Sequence, residues 1–149
     1  MAGFTRSSPV RSRPMARISS AAYVTAVLHF LQAYNRGDLD ACVSYLDSQV
    51  EWHSAVTYSG PADVRAMLEG LRERWTRAQA RPEDFREADG HVLMIVCFHE
   101  GDPAAQQHEE RQAWIADMSE DGLIRRVISY TSPAEAARAF DAIAHRVHA

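Results

Sequence analysis

Apolar residues recur at helical spacing in three segments of the first half of the chain. The first segment predicts a helix that begins at Ser19 or Ser20 and ends at Gly37. The second follows Asp38, which can cap a short helix, and the third follows the Ser59-Gly60-Pro61 turn. The apolar stripes are Val24, Val27, Leu28, Leu31 and Tyr34; then Leu39, Cys42, Val43 and Leu46; then Val64, Met67, Leu68, Leu71 and Trp75.

The second half of the chain has the pattern of consecutive strands. A hairpin is predicted around Asp89-Gly90, and its second strand contains the nearly continuous apolar run VLMIVCF. The capping box Ser132-Pro133-Ala134-Glu135 predicts a final helix towards His145. The predicted strands are 49–55, 82–89, 91–100, 108–118 and 123–131.

One stretch, AYNRGDLDACVSYLDSQVEWH from Ala33 to His53, joins two helices to a strand in a recognisable order. It resembles the nuclear transport factor 2-like superfamily, and its SnoaL-like branch in particular, over roughly residues 20–140. The resemblance implies an α+β fold of the cystatin-like type, in which a cone-shaped, curved antiparallel sheet carries helices on its concave side. A ferredoxin-like sandwich is disfavoured, because the consecutive strands after residue 82 supply no βαβ crossover.

The chain of 149 residues fits one domain, which we predict over residues 19–149. Residues 1–18 hold four arginines and no acid, with prolines and serines between them, and are predicted to form a disordered basic tail. The remaining 12 arginines face 20 acidic residues, a net charge of −8, which makes nucleic acid an improbable partner. No apolar run is long enough for a membrane span or a signal peptide, so we expect a cytoplasmic protein.

Neither a cofactor nor a metal is predicted. No glycine-rich loop leads from a strand into a helix, and no G-x-S-x-G motif occurs. All basic side chains are arginine, which excludes lysine Schiff-base chemistry, and Cys42 and Cys97 are expected to be buried thiols. A metal site at His99, Glu100, His108 and Glu109 is disfavoured, because the zinc motifs with tight ligand spacing are missing.

The strand VEWHS supplies the first catalytic candidate. Its alternation places Glu51 and His53 on one face and Val50, Trp52 and Ser54 on the other. In the ketosteroid isomerases that the chain resembles, the general base falls at Ser54 or His53, depending on the alignment. We predict His53, because a neutral imidazole exchanges a proton at neutral pH and a serine does not do so unaided. The alternative is a strand-end histidine bonded to solvent or backbone.

The strand HEERQAWIADM supplies the second candidate, Glu110. By resemblance Trp114 lies on the concave face, and alternation then gives Glu110 and Gln112 the same face. A partly desolvated Glu110 would act as the acid partner of His53, with Gln112 orienting a substrate. The alternative for Glu110 is an ion pair with one of the arginines of the body.

The resemblance also implies a pocket with mainly apolar walls. Phe30 and Trp114 occupy the positions of the two oxyanion donors of the steroid isomerases, so an isomerase of that type is disfavoured. The last strand presents Val127, Ser129 and Thr131 where related cyclases and epoxide hydrolases hold an aspartate. The predicted substrate-binding residues are Phe30, Tyr34, Tyr58, Met67, Leu71, Trp75, Gln112, Trp114 and Ser129.

Two functions remain open at this point. The first is a cofactor-independent enzyme of SnoaL-like type that cyclises, isomerises or opens the epoxide of an apolar, oxygenated natural product of polyketide or terpenoid class. The second is a non-catalytic module that binds a small ligand or a partner. By resemblance, Ile124, Arg126, Ile128 and Tyr130 on the convex face of the sheet would form a homodimer.

Overall fold

The computed structural model describes residues 20–76, 78–100 and 108–147. The predicted tail, residues 1–18, lies outside them. Four helices and six strands follow one another along the described chain. They are α1 (Ser20–Arg36), α2 (Leu39–Ser44), β1 (Leu46–His53), β2 (Thr57–Ser59), α3 (Pro61–Arg74), β3 (Ala78–Ala88), β4 (His91–Glu100), β5 (His108–Met118), β6 (Ile124–Tyr130) and α4 (Pro133–Val147).

The strands form one curved, open sheet in the order β2-β1-β6-β5-β4-β3, which confirms the predicted α+β fold class. All neighbouring strands are antiparallel except β1 and β6, which run parallel. This exception follows from the chain path, because β1 and β6 are separated by most of the domain and no hairpin joins them. The short strand β2, which pairs with the end of β1, was not predicted from the sequence.

The two faces of the sheet carry separate hydrophobic clusters. The larger cluster lies between the sheet and helices α1 and α3, and we call this side the core face; Trp52, Met94 and Trp114 belong to it. Leu93 and Ile115 point to the opposite side, where Ala136 and Phe140 of α4 cover them, and we call this side the α4 face. One expectation therefore needs correction: α4 does not share the side of the other helices.

The N-x-G-D part of the recognised stretch ties the helices to the sheet. The Asn35 side-chain amide donates to the carbonyl of Ala80 and accepts from its N–H, both at 2.8 Å, so it pairs with the free edge of β3 as a strand would. Gly37 has φ +75°, and the Arg72 guanidinium packs against it. Asp38 caps α2 by accepting from the N–H of Ala41. The motif is thus explained by chain geometry rather than by chemistry.

The strand β6 departs from the alternation that predicted its faces. A register shift between Asp117 and Met118 of β5 places Ile124 in the core-face cluster beside Val127. The expected position of Ile124 on the dimer face is therefore wrong, and the cause is the bulge, which breaks the two-residue period. Helix α4 also covers part of that face and so reduces the surface left for a homodimer, which stays a prediction.

Candidate functional site

A cleft of about 720 Å³ opens between α3 and the part of the core face formed by β1, β2, β5 and β6. Its apolar surface comes from Trp52, Met67 and Leu71. Hydroxyl and amide groups are interspersed with these apolar walls, and one carboxylate and one guanidinium complete the lining. The remaining lining residues are Ser54, Ala55, Tyr58, Asp63, Ala66, Gly70, Arg74, Gln112, Ser129 and Thr131. Apolar walls combined with polar groups that can orient a ligand are typical of a small-molecule site.

Helix α3 forms one side of the cleft with a single face. Asp63, Met67, Gly70 and Arg74 follow one another at spacings of four, three and four residues, with Ala66 beside Met67, which aligns them along the helix. Val64 and Leu68 point to the neighbouring, fully buried side and fix α3 to the core. The cleft therefore exists because the side of α3 towards β1 and β6 carries small residues at two positions.

The floor of the cleft is held by aromatic packing. Trp52 meets Trp114 edge to face, with ring centroids 5.1 Å apart, and Phe30 packs against both rings at 6.1 and 6.4 Å. Trp52 lines the cleft, whereas Phe30 and Trp114 lie behind it at 1% and 3% exposure. This cluster gives the cleft a closely packed aromatic base.

Four of the predicted substrate-binding residues do not line the cleft. Phe30, Tyr34 and Trp114 are buried core residues, so their expected place in the pocket wall is corrected. Trp75 stacks on Phe98 with centroids 5.7 Å apart and also lies outside the lining. The physical reason is that α1 packs tightly on this half of the sheet and leaves no space there. Tyr58, Met67, Leu71, Gln112 and Ser129 do line the cleft.

His53 lies on the face of β1 opposite the cleft. Trp52 fills the core side, so alternation turns both its neighbours away from it. The imidazole Nε2 is 2.9 Å from a carboxylate oxygen of Glu51, and Nδ1 is 3.2 Å from the Thr57 hydroxyl. The expectation that His53 shares a cavity with Glu110 is therefore wrong. Ser54, the alternative position for the base, lines the cleft.

Glu110 is positioned beside the cleft by a chain of hydrogen bonds. Trp114 Nε1 donates to Gln112 Oε1 at 3.3 Å, and Gln112 Nε2 donates to Glu110 Oε2 at 3.1 Å. Arg74 donates to the other Glu110 oxygen at 3.4 Å. Glu110, Gln112 and Trp114 thus share one face of β5, as predicted, and the alternative interpretation of Glu110 as an arginine partner is the one the geometry shows.

Eight lining residues are absent from the predicted substrate-binding set, although Ser54 was predicted as the alternative base position and Thr131 as part of the inward side of the last strand. Three of them, Asp63, Gly70 and Arg74, lie at helical spacing from the predicted Met67, and extending that stripe would have found them. Strand alternation places Trp52 and Ser54 on the same face of β1, and the choice of His53 as the base favoured the opposite face. The complete set is Trp52, Ser54, Ala55, Asp63, Ala66, Gly70, Arg74 and Thr131.

The part of the chain that the structure describes contains no set of side chains arranged to bind a metal ion. No three or more His, Cys, Asp or Glu side chains converge within those ranges. His99 Nδ1 lies 3.0 Å from a Glu109 carboxylate oxygen, so these two rim residues form an ion pair when the imidazole is protonated. The side chain of His108 lies outside the description. None of the described helices is long and apolar enough to span a membrane.

A family model described as the SnoaL-like domain matches residues 27–127, well over half of the chain. This chain belongs to the SnoaL-like family. The matched segment begins in α1 and ends in β6, so it includes most of the cleft. The resemblance inferred from Ala33–His53 is thereby confirmed, together with its place in the nuclear transport factor 2-like superfamily. No curated protein matches the chain.

Solved structures of similar fold support the same assignment. A proposed polyketide cyclase from Xanthomonas campestris pv. campestris is 23% identical, with a TM-score of 0.61, and the match covers 78% of this chain and 94% of that one. A cystatin-fold protein from Novosphingobium aromaticivorans is 19% identical, with a TM-score of 0.61 and coverage of 72% and 96%. TerC, co-crystallised with polyporic acid, is 15% identical, with a TM-score of 0.63 and coverage of 76% and 94%. At these identities the likeness establishes the fold of the SnoaL-like domain alone.

Proposed function

We propose that this SnoaL-like domain binds an apolar, oxygenated small molecule in the cleft under α3 and converts it by acid–base chemistry. Cyclisation, isomerisation and epoxide opening are the reactions that such a site can perform without a cofactor. The observation that carries the proposal is the cleft itself, with its Trp52 floor and its polar groups from Tyr58, Gln112 and Ser129. The names of a proposed polyketide cyclase and of TerC with polyporic acid, among the structures of similar fold, are in keeping with it.

In this proposal the proton acceptor is Asp63 and not His53. It is the carboxylate among the lining residues, and it lies in the first turn of α3. The Tyr58 hydroxyl, which also lines the cleft, would donate a hydrogen bond to a carbonyl or epoxide oxygen. Glu110 acts as a positioning residue, because it holds Gln112 and Arg74.

A second candidate, ligand binding without turnover, is favoured by one observation. The histidine that was predicted to exchange protons lies outside the cleft, and hydroxyl groups make up much of the polar lining. Serine and threonine hydroxyls bind ligands well but act as bases only with an activating partner. The two candidates predict the same binding and differ only in turnover.

The test is a thermal-shift panel of apolar lactones, epoxides and polyketide fragments, followed by NMR analysis of each stabilising compound after incubation with the protein. A ligand of the folded state raises the melting temperature. Ala66→Phe, which places a ring in the cleft, should abolish the shift, and Ala62→Phe, outside the lining on the same helix, should retain it. Shifts that survive Ala66→Phe would place the ligand elsewhere and overturn the proposed site.

Turnover is assigned with two further variants. Asp63→Asn should retain binding and lose conversion by at least about a hundredfold, the usual contribution of a general base. His53→Ala should leave binding and conversion within about twofold of the unsubstituted protein. Its imidazole lies on the face of β1 opposite the cleft, where it is bonded to Glu51 and Thr57. Binding without conversion of any compound would establish the second candidate, and conversion lost in His53→Ala would contradict the role of Asp63.

A further inference from the structure

Gly70 lies in the middle of the side of α3 that faces the cleft, and the backbone geometry there does not require a glycine. Its φ is not in the left-handed region, and a Cβ built on it would meet no atom within 4 Å. A glycine inside a helix is destabilising relative to alanine, because it loses more backbone freedom on folding. The structure of the unliganded chain therefore does not need this glycine, and the space over it is continuous with the cleft.

Arg74 lies one helical turn after Gly70 on the same side. It is the only cation among the cleft-lining residues of the described chain, and its side chain is 66% exposed. Its hydrogen bond to Glu110 is long, at 3.4 Å, and its guanidinium also lies over the Trp75 ring, 5.9 Å from the centroid. An arginine guanidinium presents five N–H donors in a planar fork that matches a carboxylate, and this single bond uses one of them.

We propose that the cleft binds a planar carboxylic acid, with its ring over Gly70 and its carboxylate on the Arg74 guanidinium. Residues four apart on a helix are neighbours, about 5–6 Å between their Cβ positions, so one small aromatic acid can reach both. The inference rests on the proposed function, because it names the ligand class of the same cleft.

The hydrogen-bond chain on β5 allows Arg74 to change partner. When Arg74 turns to a ligand, Glu110 still accepts from Gln112 Nε2 at 3.1 Å and, at 38% side-chain exposure, is also reached by water. The Gln112 amide is held in one orientation by Trp114 and Glu110, and its second amide hydrogen stays available to a ligand oxygen.

Glu110, which pairs with Arg74, is the nearest carboxylate to the proposed anion position, and the other acidic residue of the cleft lies much farther away. Asp63 lies eleven residues earlier on α3, which separates the two positions by about 16 Å along the helix axis. This exceeds the screening length of about 10 Å at 0.1 M salt. The last turn of α3 also carries Arg72, which packs over the Tyr34 ring with 5.5 Å to its centroid, and Glu73, so these two neighbours of Arg74 offset each other in charge.

The experiment compares 2-naphthoate with 2-naphthamide, which has nearly the same shape and no charge, by isothermal titration calorimetry. The unsubstituted protein should bind the acid at least about tenfold more tightly, as expected for a bidentate charge-assisted contact. Arg74→Gln should remove this preference. Arg65→Gln, which removes one positive charge from the same helix at a side chain bonded to Asp40, should retain it. Gly70→Ala should weaken both compounds, because it fills the space for the ring.

The outcomes distinguish a failure of the carboxylate site from a failure of the proposed function of the cleft. Equal affinity for acid and amide, or equal loss of preference in Arg65→Gln and Arg74→Gln, overturns the carboxylate site while the cleft remains a binding site. If neutral members of the lactone and epoxide panel bind and naphthoate does not, the carboxylic acid class is wrong and the proposed function stands. If no compound of either set binds, both fail.

Discussion

The two halves of the core face differ in what the facing helix presents to them. Under α1 the sheet meets Phe30, Leu31 and Tyr34, each at most 3% exposed, and the space is filled. Under α3 the sheet meets Ala66 and Gly70 on the side towards β1 and β6, and the cleft remains. The size of the side chains that the facing helix presents therefore separates the filled half from the cleft.

The largest expected effect comes from the removal of a large side chain from each half of the core face. Phe30→Ala should lower the free energy of unfolding by about 3–5 kcal/mol, because it leaves a void among Trp52 and Trp114. Met67→Ala should lower it by less than about 1.5 kcal/mol, because the half-buried Met67 already borders open space. Urea denaturation measures both values, and similar losses would show that the α3 half is packed like the α1 half.

Alkaline pH should lower the free energy of unfolding through two buried groups of the packed half, Tyr34 and Cys42. Burial raises the pKa of Tyr34 from 10.0 to about 12 and that of Cys42 from 9.0 to about 11. The folded state therefore holds these protons where the unfolded chain has released them. Their stabilising contribution is complete below about pH 9 and is lost as the pH rises towards 12.

The loss for Tyr34 alone should be on the order of 3 kcal/mol, since its pKa rises from 10.0 to about 12 and one unit of pKa corresponds to about 1.4 kcal/mol. Urea denaturation at successive pH values measures the decline. Tyr34→Phe removes the tyrosine share, so its stability should fall less steeply above pH 10 than that of the unsubstituted protein. Parallel curves for the two proteins would show that Tyr34 does not titrate with a raised pKa.

The contrast also explains how much of the molecule the sequence predicts. Helix and strand periods depend on neighbouring residues, so the elements and the fold class follow from them. Whether an inward-facing aromatic residue packs or lines a cavity depends on the residue across the space, which local periodicity does not reveal. Phe30, Tyr34 and Trp114 were therefore placed in the pocket, although they are buried in the core.

Shifts of one residue along a strand account for other differences between the predicted and the observed positions. The alignments left the base at His53 or Ser54, and on a strand that one step separates opposite faces of the sheet. The bulge between β5 and β6 likewise moved Ile124 to the core face. Asp63 and Arg74 were missed because polar residues at the ends of an amphipathic helix usually face solvent. Met67 and Leu71 were found because their apolar spacing is the same whether a helix covers a core or a cleft.

Two glycines give the smallest and most direct comparison of the halves. Gly37 has φ +75°, and a Cβ there would lie 3.0 Å from an Arg72 nitrogen, so Gly37→Ala should lower the free energy of unfolding by about 1–2 kcal/mol. Gly70→Ala should raise it by about 0.5–1 kcal/mol, because the helix gains alanine and nothing is displaced.

Opposite signs in urea denaturation would show that the first glycine serves the packed half of the fold and the second keeps the cleft open. The Arg72 side chain is the one contact that could yield, since a guanidinium moves more easily than backbone. Its bond to the Tyr34 carbonyl and its position over the Tyr34 ring oppose such movement. A destabilising Gly70→Ala would mean that the space over Gly70 is needed by the folded chain itself, and the glycine would then no longer point to a ligand.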